Sequence, residues 1–314
     1  MKKVVFILAA LMAVATLCLS ADLTFPKNII PADAIWAVHF DVQTFMKGKL
    51  YKMMEEEDAF RKVRIGRDVV SGLLGGVNLT KAIEKITVVG IGTGERAVVC
   101  IEGDLPRDRL LELAKLEDDY REIPFGSVVI HSWDASEFGA FAGNRMTLLS
   151  EDLDSLKAVL NVISGKSPSF KSDEILSRIK APSPAVSVVG FARNLSELIG
   201  AEEGPAILQL IGNTVMQAGE KGDDVVMSVH IETPTEKDAE QFEKVFLGLI
   251  ALAGMEQGNR ASAFNIDPQN LTVTRKGNRV EMSLAYPLKN FKQLLMGRAG
   301  FRAFASFADF RSLY

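Results

Sequence analysis

One short turn occurs twice in this chain. Gly143-Asn144-Arg145 returns 134 residues later as Gly277-Asn278-Arg279, each time between two apolar runs, where a glycine free to adopt positive φ reverses an antiparallel pair. The helix expected after each turn repeats as well. With one insertion, Leu153, Leu156, Lys157 and Leu160 fall opposite Leu288, Phe291, Lys292 and Leu295, and the i, i+3, i+7 spacing puts three apolar side chains on one helical face. Upstream, Pro31 to Phe40 (PADAIWAVHF) stands beside Pro182 to Phe191 (PSPAVSVVGF) at an offset of 151, and the hairpin from Thr87 to Val99 beside one of equal length from Thr214 to Val226 at 127. Repetition at this scale requires each copy to supply the same supersecondary unit.

The unit reads strand, helix, strand, strand, helix, strand, strand, helix. Hairpins imply antiparallel pairing, so the predicted fold class is α+β: two tandem β-α-β-β-α-β-β-α repeats, antiparallel sheets with helices on one face. The expected organisation is a signal peptide over 1–20, repeat 1 over 21–165, a linker over 166–184, repeat 2 over 185–297 and a Phe-rich C-terminal helix or tail over 298–314. Prolines 168, 182 and 184 with Gly165 mark the linker, around a short helix from Asp173 to Lys180. Repeat 1 holds 24 extra residues before its first hairpin, read as helices from Tyr51 to Arg64 and Asp68 to Leu74 that end at Gly75-Gly76. Pro106 and Pro234 open the next helix of each copy. In the second, Thr233 is placed to cap and Glu236 to close a capping box, ahead of an apolar stripe of Ala239, Phe242, Phe246, Leu249, Ile250 and Ala253. A loose stretch from Gly254 to Asn270 follows.

The opening residues have the three-part layout of a secretory leader: Met1-Lys2-Lys3, an apolar run from Val4 to Leu19, then Ser20-Ala21-Asp22. Cleavage after Ser20 leaves small side chains at the two positions the peptidase reads, so the mature chain is expected to start at Ala21, exported to the periplasm or the medium. A retained anchor is disfavoured, because the apolar run falls short of the ~20 residues of a full span. Acylation at Cys18 is disfavoured by the bulky Leu17 before it. Cys100 is then the sole thiol, and its setting in AVVCI reads as a small buried hydrophobe rather than a nucleophile.

Hydrophobic residues make up 47% of the chain and charged residues 24%, enough apolar side chain to fold and to exclude a disordered class. The net charge is −4, and losing Lys2 and Lys3 with the leader makes the mature chain more acidic. Nucleic-acid binding draws on the opposite sign, so no nucleic-acid partner is expected.

No residue is assigned a catalytic, cofactor-binding or metal-ligating role, and no cofactor is expected. The three histidines, His39, His131 and His230, each lie in a strand-like run without a second ligand at metal spacing. His39 and Asp41 share a strand face, but no serine elbow accompanies them. Ser177-Arg178-Ile179-Lys180 matches SxxK with no KTG companion. Gly90-Ile91-Gly92-Thr93-Gly94 leads into a strand rather than a helix, so a hairpin turn outweighs a phosphate loop. The acidic runs Glu55 to Asp58 and Glu117 to Asp119 read as solvated surface. Asn78, Asn194 and Asn270 head glycosylation triplets that a bacterial leader makes irrelevant. Phe301, Phe304, Phe307 and Phe310 recur every third residue; they are the candidate partner-binding residues, alongside the plainer reading of a helix closing on its own domain. Membrane contact by this segment is the less favoured alternative.

Pro31-Ala32-Asp33-Ala34 before an apolar strand ending in Asp41, with Phe45 beyond, resembles the opening of several groups of secreted bacterial proteins of unknown function. The resemblance implies export and a repeated α+β body, and it carries no catalytic motif. The function expected is therefore an exported, non-enzymatic binding or envelope-structural protein, with a partner met through the tail or an exposed sheet face. The alternative is an exported hydrolase with its site in the cleft between the repeats. A third reading is carriage of a small apolar ligand between sheet and helices, which requires a cavity.

Overall fold

The computed structural model describes residues 25–57, 61–92, 96–134, 136–171, 186–195, 209–256 and 270–290. The leader, the SxxK helix, residues 257–269 of the loose stretch, the segment from Phe291 and the Phe-rich tail lie outside the described residues, whereas Gly254 to Glu256 are helical.

In the first half, β1 (Trp36–Asp41) leads into helices α1 (Val42–Lys47), α2 (Lys49–Glu56), α3 (Arg61–Leu73) and α4 (Leu79–Ala82). The hairpin β2 (Ile83–Gly90) and β3 (Ala97–Gly103), helix α5 (Arg107–Ala114), strands β4 (Arg121–Phe125), β5 (Val128–Asp134), β6 (Glu137–Ala142) and β7 (Met146–Ser150), and helix α6 (Leu153–Ile163) follow. The second half has β8 (Val186–Ala192), β9 (Thr214–Lys221), β10 (Asp224–Glu232), α7 (Glu236–Glu256), β11 (Leu271–Lys276) and β12 (Arg279–Pro287). The twelve strands of the described residues join one antiparallel sheet in the order β11-β12-β10-β9-β8-β1-β2-β3-β7-β6-β5-β4.

The antiparallel α+β class is as expected, but the separate sheets are one. β1 pairs with β8 along its length, Val38 opposite Gly190 and His39 opposite Val189, so backbone hydrogen bonds run unbroken between the halves. Outward from that seam the order is β2-β3-β7-β6 on one side and β9-β10-β12-β11 on the other. Both Gly-Asn-Arg segments turn the outer hairpins, with Gly143 at φ 64° and Gly277 at φ 60°. The hairpins nearer the seam are not of equal length: Gly90 pairs with Ala97, whereas Lys221 pairs with Asp224 across Gly222 and Asp223 alone. The first half also adds the β4–β5 hairpin at the sheet edge. Pro124 fits there because an edge strand has one side free of ladder bonds, and the opposite edge, β11, carries Arg275 and Lys276.

Helices cover both faces, contrary to the one-face expectation. Residues directly opposite in the ladders share a face, which places Thr87, Cys100, Leu148, Ala140 and Ile130 together, packed under Leu156, Val159 and Leu160 of α6. On the other face Phe40, Val188, Ala218 and Val225 pack with Phe45 of α1 and Leu50 of α2. Farther along that face, Ile231 and Val280 meet Ala239 and Phe242 of α7. A strand such as β8, apolar at nearly every position and buried throughout but for Ala192, requires cover on both sides.

Local corrections follow from hydrogen bonds. Asp41 ends β1 and caps α1, its Oδ1 accepting from Thr44 N–H at 2.8 Å. The helix read from Tyr51 to Arg64 is two, α2 ending at Glu56 and α3 starting at Arg61. Thr233 does not cap α7; its backbone N–H donates to Asn278 O at 2.9 Å, tying the helix start to the second Gly-Asn turn, and its hydroxyl lies within donating distance of Thr235 O and Asn278 O, at 2.8 and 3.0 Å. Thr235 caps instead, accepting from Asp238 N–H at 3.1 Å and donating to the Asp238 carboxylate at 2.7 Å. The start of the expected linker is core: Phe170 is buried, its N–H donates to Ile30 O at 2.8 Å, and Ser169 bridges to Pro31.

Candidate functional site

The face opposite α6 is not filled everywhere. Beneath α3, α4 and α5, the sheet residues Ile101, Thr147, Leu149, Phe141, His131 and Trp133 face a cavity of about 440 Å³. Val70 and Leu74 form one wall, and Leu110, Leu111 and Ala114 of α5 another. Two local features open the space. Gly139 lies opposite both His131 and Leu149 and bears no side chain; a Cβ there would stand 2.7 Å from the Trp133 ring, so the indole lies over the glycine. Trp133 is held by its Nε1–H, which donates to Glu137 Oε2 at 2.6 Å. α5 packs near β5, and its Leu110, Leu111, Leu113 and Ala114, none of them fully buried, line the space.

The walls are carbon apart from Glu117, Thr147 and His131. His131 is 5% exposed. Its Nδ1 lies 2.8 Å from the Tyr120 hydroxyl, which donates to Glu122 Oε1 at 2.8 Å. A phenol has one proton. With that proton directed at the carboxylate, the hydroxyl oxygen is free to accept from His131 Nδ1–H, and the buried Nε2 has no hydrogen-bond partner among the described residues. Tyr120 stacks beside the imidazole, Phe141 meets it edge-on, Arg107 lies over the Phe141 ring at 4.8 Å and Lys115 over Tyr120 at 5.8 Å. Burial holds the His131 pKa below its ordinary value; Glu122 opposes this, while Arg107 and Lys115 reinforce it. Tyr120 is pushed up to about 12 by burial and by its bond to Glu122. Burial thus favours the neutral imidazole.

α3 stands at this wall with Val70 on the cavity and Arg64 and Arg67 turned to α2 and the residue after it. Arg64 donates to Met54 O and Glu57 O at 2.9 and 2.8 Å, and Arg67 pairs with Glu55 at 2.7 Å. Ile65, Val69 and Leu73, spaced by four, are left about half exposed.

The other residues singled out in the sequence do not converge on this site. His39 and His230 lie on the face opposite His131, and β1 and β5 are five strands apart, roughly 24 Å at the usual strand spacing of about 4.8 Å. His39 is core: Nδ1 bonds to Thr87 Oγ1 at 2.8 Å, and burial drives its pKa down to about 4. Its neighbour Asp41 is occupied as the α1 cap. His230 lies 3.9 Å from Glu281 across a ladder pair. Cys100 is buried, with its thiol pushed up to about 12. The glycines of Gly90-Ile91-Gly92 serve the hairpin, Gly90 because the Trp36 indole occupies the space of a Cβ. Phe301, Phe304, Phe307 and Phe310 lie outside the described residues. Sequence reasoning missed Tyr120, Glu122, Trp133 and Gly139, although the alternation in VVIHSWD already puts His131 and Trp133 on one strand face.

No protein-family model matches this chain. No curated protein matches it either. Among solved structures, TP0453 in its crystal form III matches with a TM-score of 0.51 at 6% identity, over 87% of this chain and 98% of that one. This chain shares that fold. Crystal form I of TP0453 gives 0.49 at 8% identity over 87% and 97%, and form IV gives 0.48 at 6% over 88% and 98%. The likeness is of fold alone. Among the described residues no helix is long and apolar enough to cross a membrane.

Proposed function

We propose that this chain is an exported, non-enzymatic binding protein that carries an apolar chain in the cavity between its sheet and α3–α5. The observation that carries the reading is the cavity itself: about 440 Å³, within the 300–1,000 Å³ of ordinary ligand sites, and walled by carbon where a folded domain closes its core. α3 is the wall that parts, because guanidinium contacts rather than buried side chains hold it to α2. The Lys2-Lys3 leader and its apolar run support export. The hydrolase alternative needed a cleft between the halves, and that junction is a paired strand seam, β1 on β8. The mirrored strand order about this seam supports duplication of one unit, with α5 and α7 in corresponding positions on the same face.

Saturation binding of the apolar fluorophore N-phenyl-1-naphthylamine tests the reading. One site per chain is expected, weakened at least tenfold in Ala114→Trp, whose indole fills the cavity from α5. Binding that does not saturate, or that the filled variant retains in full, rejects it.

A further inference from the structure

The cavity beneath α3, α4 and α5 runs across the strands. Its floor draws on five consecutive ones, from Ile83 of β2 through Ile101, Leu149 and Gly139 to Trp133 of β5, and four spacings of ~4.8 Å put its ends roughly 19 Å apart. A straight alkyl chain advances about 1.3 Å per carbon, the projection of a ~1.5 Å single bond, so that length takes about fifteen carbons. Volume gives a similar figure. A cavity of ~150 Å³ holds one benzene ring, and about 440 Å³ therefore holds about three times as many carbons, about eighteen. One extended chain satisfies both measures, whereas two shorter arms with the same carbons fill the volume without the length. Resting on the cavity as the ligand site, we propose that its occupant is a single unbranched alkyl chain of about fifteen carbons, and that Trp133 sets this length.

Trp133 is the stop at the β5 end. The strand beyond it, β4, lines none of the space. The indole is fixed twice, by its Nε1–H to Glu137 Oε2 at 2.6 Å and by the gap over Gly139, where a Cβ would stand 2.7 and 2.9 Å from two ring carbons. That bond commits the one polar atom of the ring, so what remains to meet a ligand is carbon. A rigid ring so held ends the chain at a set carbon, where a leucine would change rotamer and give way.

Straight alkanoates of eight to twenty carbons, each below its aggregation concentration, test this by displacing N-phenyl-1-naphthylamine from the full chain. They share a headgroup, so only the chain varies. Each added methylene should tighten binding about fourfold up to about fifteen carbons and then bring no further gain. Hexadecanoate and 2-hexyldecanoate are isomers, one chain against two arms, and the straight one should bind at least tenfold more tightly. Trp133→Ala should move the break at least two carbons further out. Gly139→Ala, whose Cβ displaces the indole into the space, should bring the break in, so either variant decides if the other fails to fold. Displacement by no alkanoate removes the cavity as a ligand site altogether. Gains that continue to twenty carbons, equal binding of the isomers, or a break unmoved in whichever variant folds leaves the cavity reading standing and overturns the assignment of chain and stop.

Discussion

Phe170 stacks on Phe191 with ring centroids 4.4 Å apart and planes 12° from parallel, joining the segment after α6 to β8 of the second half. Phe25 meets both rings edge-on, at 6.3 and 5.8 Å, and the Arg193 guanidinium lies over Phe170 at 5.3 Å. Three segments distant in sequence are thereby held over one sheet face, where stacking adds to area burial.

Phe170→Ala removes this junction. Truncating a fully buried phenylalanine costs ~3–5 kcal/mol, so the urea midpoint should fall by that equivalent with the slope unchanged. A loss below ~1 kcal/mol would show that the segment is a loose linker after all.

Stability should depend on pH through His39. The unfolded chain takes up this proton near pH 6.5, whereas the folded chain resists it until about pH 4. Between those values the unfolded state binds more protons, so stability is full above 6.5, falls as pH drops toward 4 and is level below. The span corresponds to about 3 kcal/mol at ~1.4 kcal/mol per unit. His39→Gln, which does not titrate, should flatten urea midpoints measured from pH 7 to 4; an unchanged slope would assign the effect to other groups.

Arg64 anchors α3 through two backbone carbonyls. Arg64→Ala frees both acceptors at a cost of ~1.5–3 kcal/mol for bonds to a charged donor. Amides in α3 should then exchange hydrogen at least tenfold faster and the fluorophore should associate faster, with the sheet amides unaffected. Unchanged exchange in α3 would mean that its apolar contacts hold it in place.

Cys100 should resist thiol reagents. Its side chain lies between sheet and α6 and its pKa is raised to about 12, so reaction with a disulfide reagent at pH 8 should proceed only through unfolding and accelerate with urea. Prompt stoichiometric labelling without denaturant would contradict that placement.

Much of the local order was legible because it rests on short-range rules. The Gly-Asn turns need positive φ at one residue, Pro106 opens a helix where a missing N–H does no harm, and Cys100 lies in a run too apolar for surface. Reading failed where a partner distant in sequence decided. Thr233 suits a cap by residue type, yet the turn at Asn278 takes its backbone N–H and Thr235 does the capping. Phe170, at the start of the expected linker, is core because Ile30 and Phe191, which hold it, lie elsewhere in the sequence. β4 escaped notice because Pro124 argues against a strand unless that strand is an edge.

By itself the sequence determined an antiparallel α+β chain, its Gly-Asn-Arg turns and the helices that open after Pro106 and at Leu153, since each is written in spacings of a few residues. Tertiary structure alone decided that β1 and β8 pair to make one sheet, that helices cover both faces, and that a largely apolar space stays open beneath α3, α4 and α5. Those outcomes depend on which strand meets which edge and how far α5 stands from the sheet, and no local spacing encodes either.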